Sequence, residues 1–344
     1  MSELSGTPTL ARLRPEWTAE LEGYPVRVAW APDGAHLAVA LAEGPVVLFD
    51  AEGARRATLP GHDVGTQDVA WSPDGARLAS GGQDGQLRLW SPGGEALASA
   101  PAGGHWVERV AFSPHSGTLA TAAGGQLRFW SGAGEPLTAG RAESYTITDL
   151  QWLADREQLA TSTYGAARLW SPEQAEPLAS YPWKGALLAI AVSPDGCRMA
   201  AGMQEANIHF WDLARGGDLY MSGYATKVRE LSWSADSRIL ATGGGASAVL
   251  WDCAGEGPAG TEPVVLDLHT RPIRALRFDH GGRGLASGAR DGSAVVLAPL
   301  DDAPARALVR DADVSDLAWC PDDGAVAFAF GDGHLAVCPG PGGP

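Results

Sequence analysis

His62, Ser80 and Asp84 are the residue types of a nucleophilic triad, in which a hydroxyl attacks, an imidazole takes its proton and a carboxylate orients the imidazole. A near-copy of the set returns at His269, Ser287 and Asp291. A triad is needed once, where the substrate binds, and neither set is accompanied by an oxyanion-binding turn. The arrangement therefore argues against catalysis. Four cysteines (Cys197, Cys253, Cys320 and Cys338) stand far apart, with no C-x-x-C pair and no histidine at zinc-ligand spacing. They are expected to be buried, reduced thiols. No D-x-[DN]-x-[DN]-G calcium loop is present. The sequence thus yields no catalytic residue, no metal site and no cofactor.

The elements that must carry these residues repeat. A large apolar residue precedes a turn of the Ser-Pro-Asp-Gly type in eight copies: Trp30, Trp71, Phe112, Trp152, Val192, Trp233, Phe278 and Trp319. Successive anchors are 40 to 45 residues apart. Gln67 to Ser91, "QDVAWSPDGARLASGGQDGQLRLWS", reads as three strands joined by tight turns at Pro73-Asp74-Gly75 and Asp84-Gly85. The stretch 96–104 supplies a fourth strand. No segment sustains the 3.6-residue apolar period of a helix. Four-stranded antiparallel sheets at this period indicate an all-β fold, an eight-bladed β-propeller; seven blades plus an extra sheet is the alternative. The last copy ends its third strand near Cys338, so its fourth is expected from "EWTAEL" at 16–21, which removes two exposed sheet edges. A single domain over 15–338 follows, with mobile tails at 1–14 and 339–344.

Trp90, Trp130, Trp170, Trp211 and Trp251 close the third strand in five copies, and Trp211-Asp212 and Trp251-Asp252 are Trp-Asp dipeptides. The units resemble WD repeats, although Phe49, Leu297 and Cys338 replace the tryptophan in copies one, seven and eight. The resemblance implies a structural network of His, Ser, Asp and Trp within a blade: His62, Ser80, Asp84 and Trp90 in copy two, and His269, Ser287 and Asp291 in copy seven. An imidazole so placed needs partners for both nitrogens, and Ser and Asp can supply them. Trp183 and Tyr224 occupy the histidine position in copies five and six and are expected to fill that slot. In copy eight Arg310 is expected to pair with Asp332.

Along the inner strands, apolar residues five, two and zero positions before the anchor break strict alternation, so a bulge is expected there. The residues three before the anchor include Arg27, Asp68, Arg109 and Asp149, whose alternating sign suggests a girdle of ion pairs. A binding mouth for a basic group is the other reading of that ring.

The formal net charge of −16, from 41 acidic and 25 basic residues, excludes nucleic acid as a partner on electrostatic grounds. No run of about 18 apolar residues suits a membrane span, and the first residues lack the apolar run of a signal peptide. A cytoplasmic location is expected. Lys184 and Lys227 are the only lysines, and with abundant Ala, Gly and Pro this suggests a bacterial, GC-rich origin.

In WD-repeat propellers the linkers into the inner strands and the turns between second and third strands share one rim, the usual partner surface. Here that rim offers Tyr24, Trp106, Tyr145 and Tyr164, and in copy seven Arg271 and Arg290. Aromatic and arginine side chains are enriched at interface hot spots. The expected function is a non-catalytic scaffold, a monomeric ring that binds a protein or peptide on this rim. A small-molecule or peptide sensor at the channel mouth is the alternative, and an enzyme within the channel a lesser one.

Overall fold

A computed structural model describes residues 10–299 and 304–341. Among these, every regular element is a strand. The second copy shows how residue types make the sheet. Thr66–Trp71, Leu78–Gly82, Gln86–Trp90 and Ala96–Pro101 pair antiparallel in that order, with Leu78 opposite both Trp71 and Trp90. In the first turn the Ser72 hydroxyl donates to Asp74 (2.5 Å) and accepts the Arg77 N–H (2.9 Å). Asp74 accepts the Ala76 N–H (3.0 Å), and Gly75 takes φ 67°. Side-chain oxygens thus satisfy the turn backbone, which is why Ser and Asp recur there. Ser193 with Asp195 and Ser234 with Asp236 repeat the arrangement.

Two compact units group the chain, one over Glu22–Ile190 and one over Ala191–Pro344 with the described part of Met1–Leu21. In the first unit, the inner strands Pro25–Trp30, Thr66–Trp71, Val107–Phe112 and Asp149–Trp152 each open a sheet. Second strands are buried on both faces, whereas outer strands such as Ala96–Pro101 remain largely exposed. Consecutive sheets are tied by the anchors. The indole N–H of Trp71 donates to the Ala29 carbonyl (3.1 Å) and that of Trp152 to Ala111 (3.0 Å). In the second unit Trp233 bonds Ala191 (3.3 Å) and Trp319 bonds Arg277 (3.0 Å) in the same way. Register slips between Thr66 and Asp68, Val107 and Arg109, Ile273 and Ala275, and Val314 and Asp316 place the anticipated bulge in the inner strands.

The sheet count corrects the expected eight. The strands form seven hydrogen-bonded sheets, one of which has six strands. In copy four the second and third strands are one run, Leu159–Trp170, and the fourth continues as Ala179–Val192 into the inner strand of copy five. Tyr164 pairs with Ala186. Elsewhere the connection at this point contains a breaker such as "GHDVG" or "GGH"; here "YPWKGALLAIAV" carries Pro182 and Gly185, yet the backbone stays extended and Pro182 pairs with Ala166.

The N-terminal segment also departs from expectation. Trp17–Glu20 completes the last sheet, antiparallel to His334–Pro339, with Trp17 opposite Val337. Leu10–Arg12, placed by the sequence in a mobile tail, pairs in parallel with Ala305–Val309 and makes that sheet five-stranded. The Leu13 N–H donates to Ala307 (2.8 Å), and its side chain, 1% exposed, packs in a core with Val296, Leu317 and Trp319. At the other end Pro339 lies within a strand and the Gly340 N–H donates to Gly324 (2.8 Å). The remainder of both tail assignments, 1–9 and 342–344, lies outside the described residues. A three-residue parallel strand has no alternation to announce it, and its partner lies far along the chain.

Leu13→Ala should therefore lower the free energy of unfolding by about 3 kcal/mol, read as a shifted denaturant midpoint at unchanged slope. An unchanged midpoint would return residues 10–14 to a free tail.

Candidate functional site

The duplicated His/Ser/Asp set is built into the sheets. In copy two the linker before the inner strand carries His62, the second strand Ser80, the following turn Asp84 and the third strand Trp90. His62 Nδ1 lies 2.8 Å from Asp84 Oδ1 and Nε2 lies 2.9 Å from Ser80 Oγ. The Trp90 indole N–H donates to the same Ser80 oxygen (2.9 Å). The donors close consistently: the Ser80 hydroxyl accepts from Trp90 and donates to Nε2, so Nδ1 carries the proton given to Asp84. Burial holds the His62 imidazole below its ordinary pKa, against the opposing pull of Asp84. The contact is thus a hydrogen bond of a neutral ring rather than an ion pair. A serine committed to two partners in the core has no geometry for attack.

Copy seven differs from its expected form. His269 Nε2 bonds Ser287 (2.7 Å), but Nδ1 bonds Ser293 (2.5 Å), and Ser293 in turn donates to Asp291. Asp291 sits 3.7 Å from the ring and accepts the Thr270 N–H (2.6 Å). The imidazole is driven to about 4 by burial. In copy six Tyr224 does the work of histidine: its hydroxyl bonds Thr242 (2.9 Å) and accepts the Trp251 indole N–H (2.8 Å), and burial raises the phenol to about 12. Arg310 pairs with Asp332 at 3.0 Å and lies over the Phe330 ring. Trp183 lies half-buried within the strand Ala179–Val192.

The charged positions of the inner strands are tied down as well. Arg27 pairs with Asp68 (2.7 Å), whose second oxygen accepts the Val110 N–H (2.9 Å) of the next sheet. Arg109 pairs with Asp149 (3.1 Å), whose second oxygen accepts the Ile190 N–H (3.1 Å). These carboxylates link consecutive sheets within the unit. The described residues contain no cluster of three potential metal ligands. Cys253, Cys320 and Cys338 are buried and their thiols are raised, chiefly by burial, to about 12, 11 and 12.

The linkers and turns make a continuous edge in the first unit. The Ala42 N–H donates to the Tyr24 carbonyl (2.9 Å), and the Tyr24 N–H to Glu43 (3.0 Å). The His62 N–H reaches Gly44 (3.2 Å), the Gln83 N–H reaches Gly65 (2.9 Å) and the Glu143 N–H reaches Gly125 (2.8 Å). On this edge Trp106, Tyr145 and Tyr164 stand 52%, 54% and 51% exposed. The two tyrosine rings meet at 4.8 Å. Tyr24 is half-buried. Sequence reasoning missed Val64, which occupies the corresponding linker of copy two, 76% exposed with φ 76°. A β-branched residue rarely adopts this backbone, and the only signal was a valine between Asp63 and Gly65. In the second unit Arg271 and Arg290 are both exposed, and the Arg290 N–H donates to the Pro272 carbonyl (3.1 Å), which brings their loops together.

Comparison with known proteins agrees with this architecture. The family described as "WD domain, G-beta repeat" matches residues 53–91, 99–131, 219–252 and 260–296. A curated relative from Arabidopsis thaliana, "Cell division cycle 20.1, cofactor of APC complex", is 27% identical over 150 residues. That match covers 40% of this chain and 31% of the relative, so the chain spans about a third of the relative's length. The crystal structure of the computationally designed Ika8 protein superposes with a TM-score of 0.79 at 22% identity, over 93% of this chain and 98% of that one. The matches support a WD-repeat family, and the structural likeness shows the fold, an all-β β-propeller of small antiparallel sheets.

The buried imidazoles make stability depend on pH in a defined direction. His269 has a lower pKa folded than unfolded, so the unfolded chain takes the proton first as pH falls. Stability contributed by the neutral ring is complete above about 6.5 and drains away toward pH 4, by about 3 kcal/mol. Glu108, Glu143 and Glu230, whose carboxyls burial raises, act in the opposite sense. The His269 contribution is therefore read as a difference: between pH 7 and pH 4.5 the wild type should lose more stability than His269→Gln. Parallel losses would show that the ring titrates normally.

Proposed function

We propose that this chain is a non-catalytic protein-interaction scaffold whose first unit presents its linker-and-turn edge to a protein or peptide partner. The observation that carries this reading is the set of exposed aromatic side chains on successive copies, Trp106 followed by Tyr145 and Tyr164, whose rings meet at a tilt, on a frame hydrogen-bonded from copy to copy. Large rigid rings bury much area at small entropic loss when a partner covers them. Tyr24 and Val64 extend the same edge. The duplicated triad residues are absorbed in structural networks, so the motif most suggestive of an enzyme supports a scaffold instead. In the second unit Arg271 and Arg290 form a basic spot suited to a carboxylate-bearing segment.

The relative's description as a cofactor of a complex fits a chain that acts by bringing partners together. Free, separated cysteines fit a reducing compartment such as the cytoplasm of a bacterium. The cores of both units are filled by this chain's own side chains, which supports a monomer.

Partners copurified with the full chain from its native cells, and lost on Trp106→Ala with Tyr145→Ala, test the proposal. Binding to a recovered partner should weaken at least tenfold, with the thermal midpoint within about 2 °C of wild type, because exposed side chains contribute little to stability. A collapse of stability would assign both rings to the core and remove the site.

A further inference from the structure

Two arginines of copy five converge on a loop of copy six. That loop is long: Ala248–Asp252 is followed by Val264–Leu266, whereas in copy five a short turn leads from Ile208–Asp212 to Asp218–Met221. The loop carries Gly255 to Arg198, the first residue of the strand Arg198–Met203, and to Arg215 in that short turn. Arg198 donates through Nη2 to the Gly255 carbonyl (3.1 Å) and through Nη1 to the Ser237 carbonyl (3.4 Å). Arg215 donates through Nη1 to the same Gly255 oxygen (3.2 Å). Two guanidiniums thus meet at one neutral acceptor.

The acids of the neighbourhood do not discharge them. Among the described residues no ion pair joins Arg198 or Arg215 to a carboxylate. Asp212 accepts the Ala214 and Arg215 N–H groups (3.1 and 2.8 Å), and Asp252 pairs with Arg238 (2.9 Å). Asp195 feels the Arg198 charge at longer range, but its carboxylate accepts the Ser193 hydroxyl (2.6 Å) and the Cys197 N–H (3.0 Å). In a chain with 41 acidic and 25 basic residues, two arginines drawn together without an acid between them is an unexpected arrangement. Holding like charges together costs free energy, and an anion between them reverses the sign of that interaction.

The pair is open to a ligand, because Arg215 and Gly255 are exposed and Arg198 is partly so. A guanidinium offers five N–H donors in a planar fork. Each arginine commits one to Gly255 and Arg198 another to Ser237, so several on each remain for a ligand. The carbonyl orients the two forks without neutralising them, which spares a ligand part of the cost of ordering them. Two monocations with forked donors match a dianion whose several oxygens can accept from both.

We propose that Arg198 and Arg215, oriented by the Gly255 carbonyl, form a binding site for a phosphate dianion, free or as a monoester on a larger molecule. The site lies wholly within the second unit and is independent of the partner surface proposed for the first.

The test is a titration of the full, nitrogen-15-labelled chain with inorganic phosphate, phenyl phosphate and acetate at ionic strength held constant with chloride, followed by NMR. Inorganic phosphate should produce saturable shifts at Gly255 and at the arginine side chains. Affinity should fall at least tenfold in Arg198→Gln with Arg215→Gln, which removes the charge-assisted donors. Glu256→Gln, which deletes the exposed carboxylate next to Gly255, should tighten binding. Phosphate should also raise the thermal midpoint of the wild type and leave that of the double variant unchanged. Should the double variant fail to fold, Arg215→Gln alone, at an exposed side chain, carries the same comparison. Phenyl phosphate binding as well as the free ion assigns the site to monoesters, and binding of the free ion alone assigns it to phosphate; either supports the proposal. Shifts that do not saturate, acetate binding as tightly as phosphate, or equal phosphate affinity in wild type and variants would overturn it and leave the arginines as pins for the loop.

Discussion

Neighbouring sheets approach each other so closely that one position of the second strand, ten residues after the anchor, has room only for a small side chain. A Cβ added at Gly81 would lie 2.5 Å from Val107 of the next copy, and one at Gly288 would lie 2.3 Å from Val314. Ala122, Ser162 and Ala329 hold the same position elsewhere. The rest of the molecule answers this one constraint. Sheets packed at that distance bury both faces of their central strands, and dispersion and the hydrophobic effect then act over the whole interface. A small sheet alone could not do this. At the anchors Trp71, Trp152, Trp233 and Trp319 also bond the carbonyl of the preceding copy's inner strand.

Close packing also explains the polar residues in the core. A hydroxyl or ring nitrogen buried in the sheets is costly unless it finds a partner. Copy two meets this with His62, Ser80, Asp84 and Trp90, copy six with Tyr224, Thr242 and Trp251, and copies three and four with a tryptophan on Thr121 or Thr161. Copy seven lacks the tryptophan and inserts Ser293 between ring and carboxylate. Different residues satisfy one need, which identifies the need as structural. Residues that resemble a catalytic triad on paper are consumed in holding the sheets.

The partner surface we propose uses positions the packing does not claim. Linkers and turns are bonded to one another by backbone groups, so their side chains can vary without loosening the frame. Trp106, Tyr145, Tyr164 and Val64 project from that frame, and the strained backbone at Val64 persists where an exposed apolar side chain offers no benefit to the core.

The repeat, the strand order within a copy, the bulge and the N-terminal strand beside His334–Pro339 were all legible in the residues, because each follows from local alternation, turn chemistry or an unfilled place in a recurring pattern. The partners of Arg27, Arg109 and Arg310 were legible for the same reason. Only the tertiary structure decided that Ala179–Val192 would run unbroken between copies, that Leu10–Arg12 would add a parallel strand, that Ser293 would intervene at His269 and that Arg198 and Arg215 would meet at one carbonyl. Those outcomes depend on which groups meet across long separations in sequence, and the distances and angles of such meetings are set by packing rather than by any local pattern.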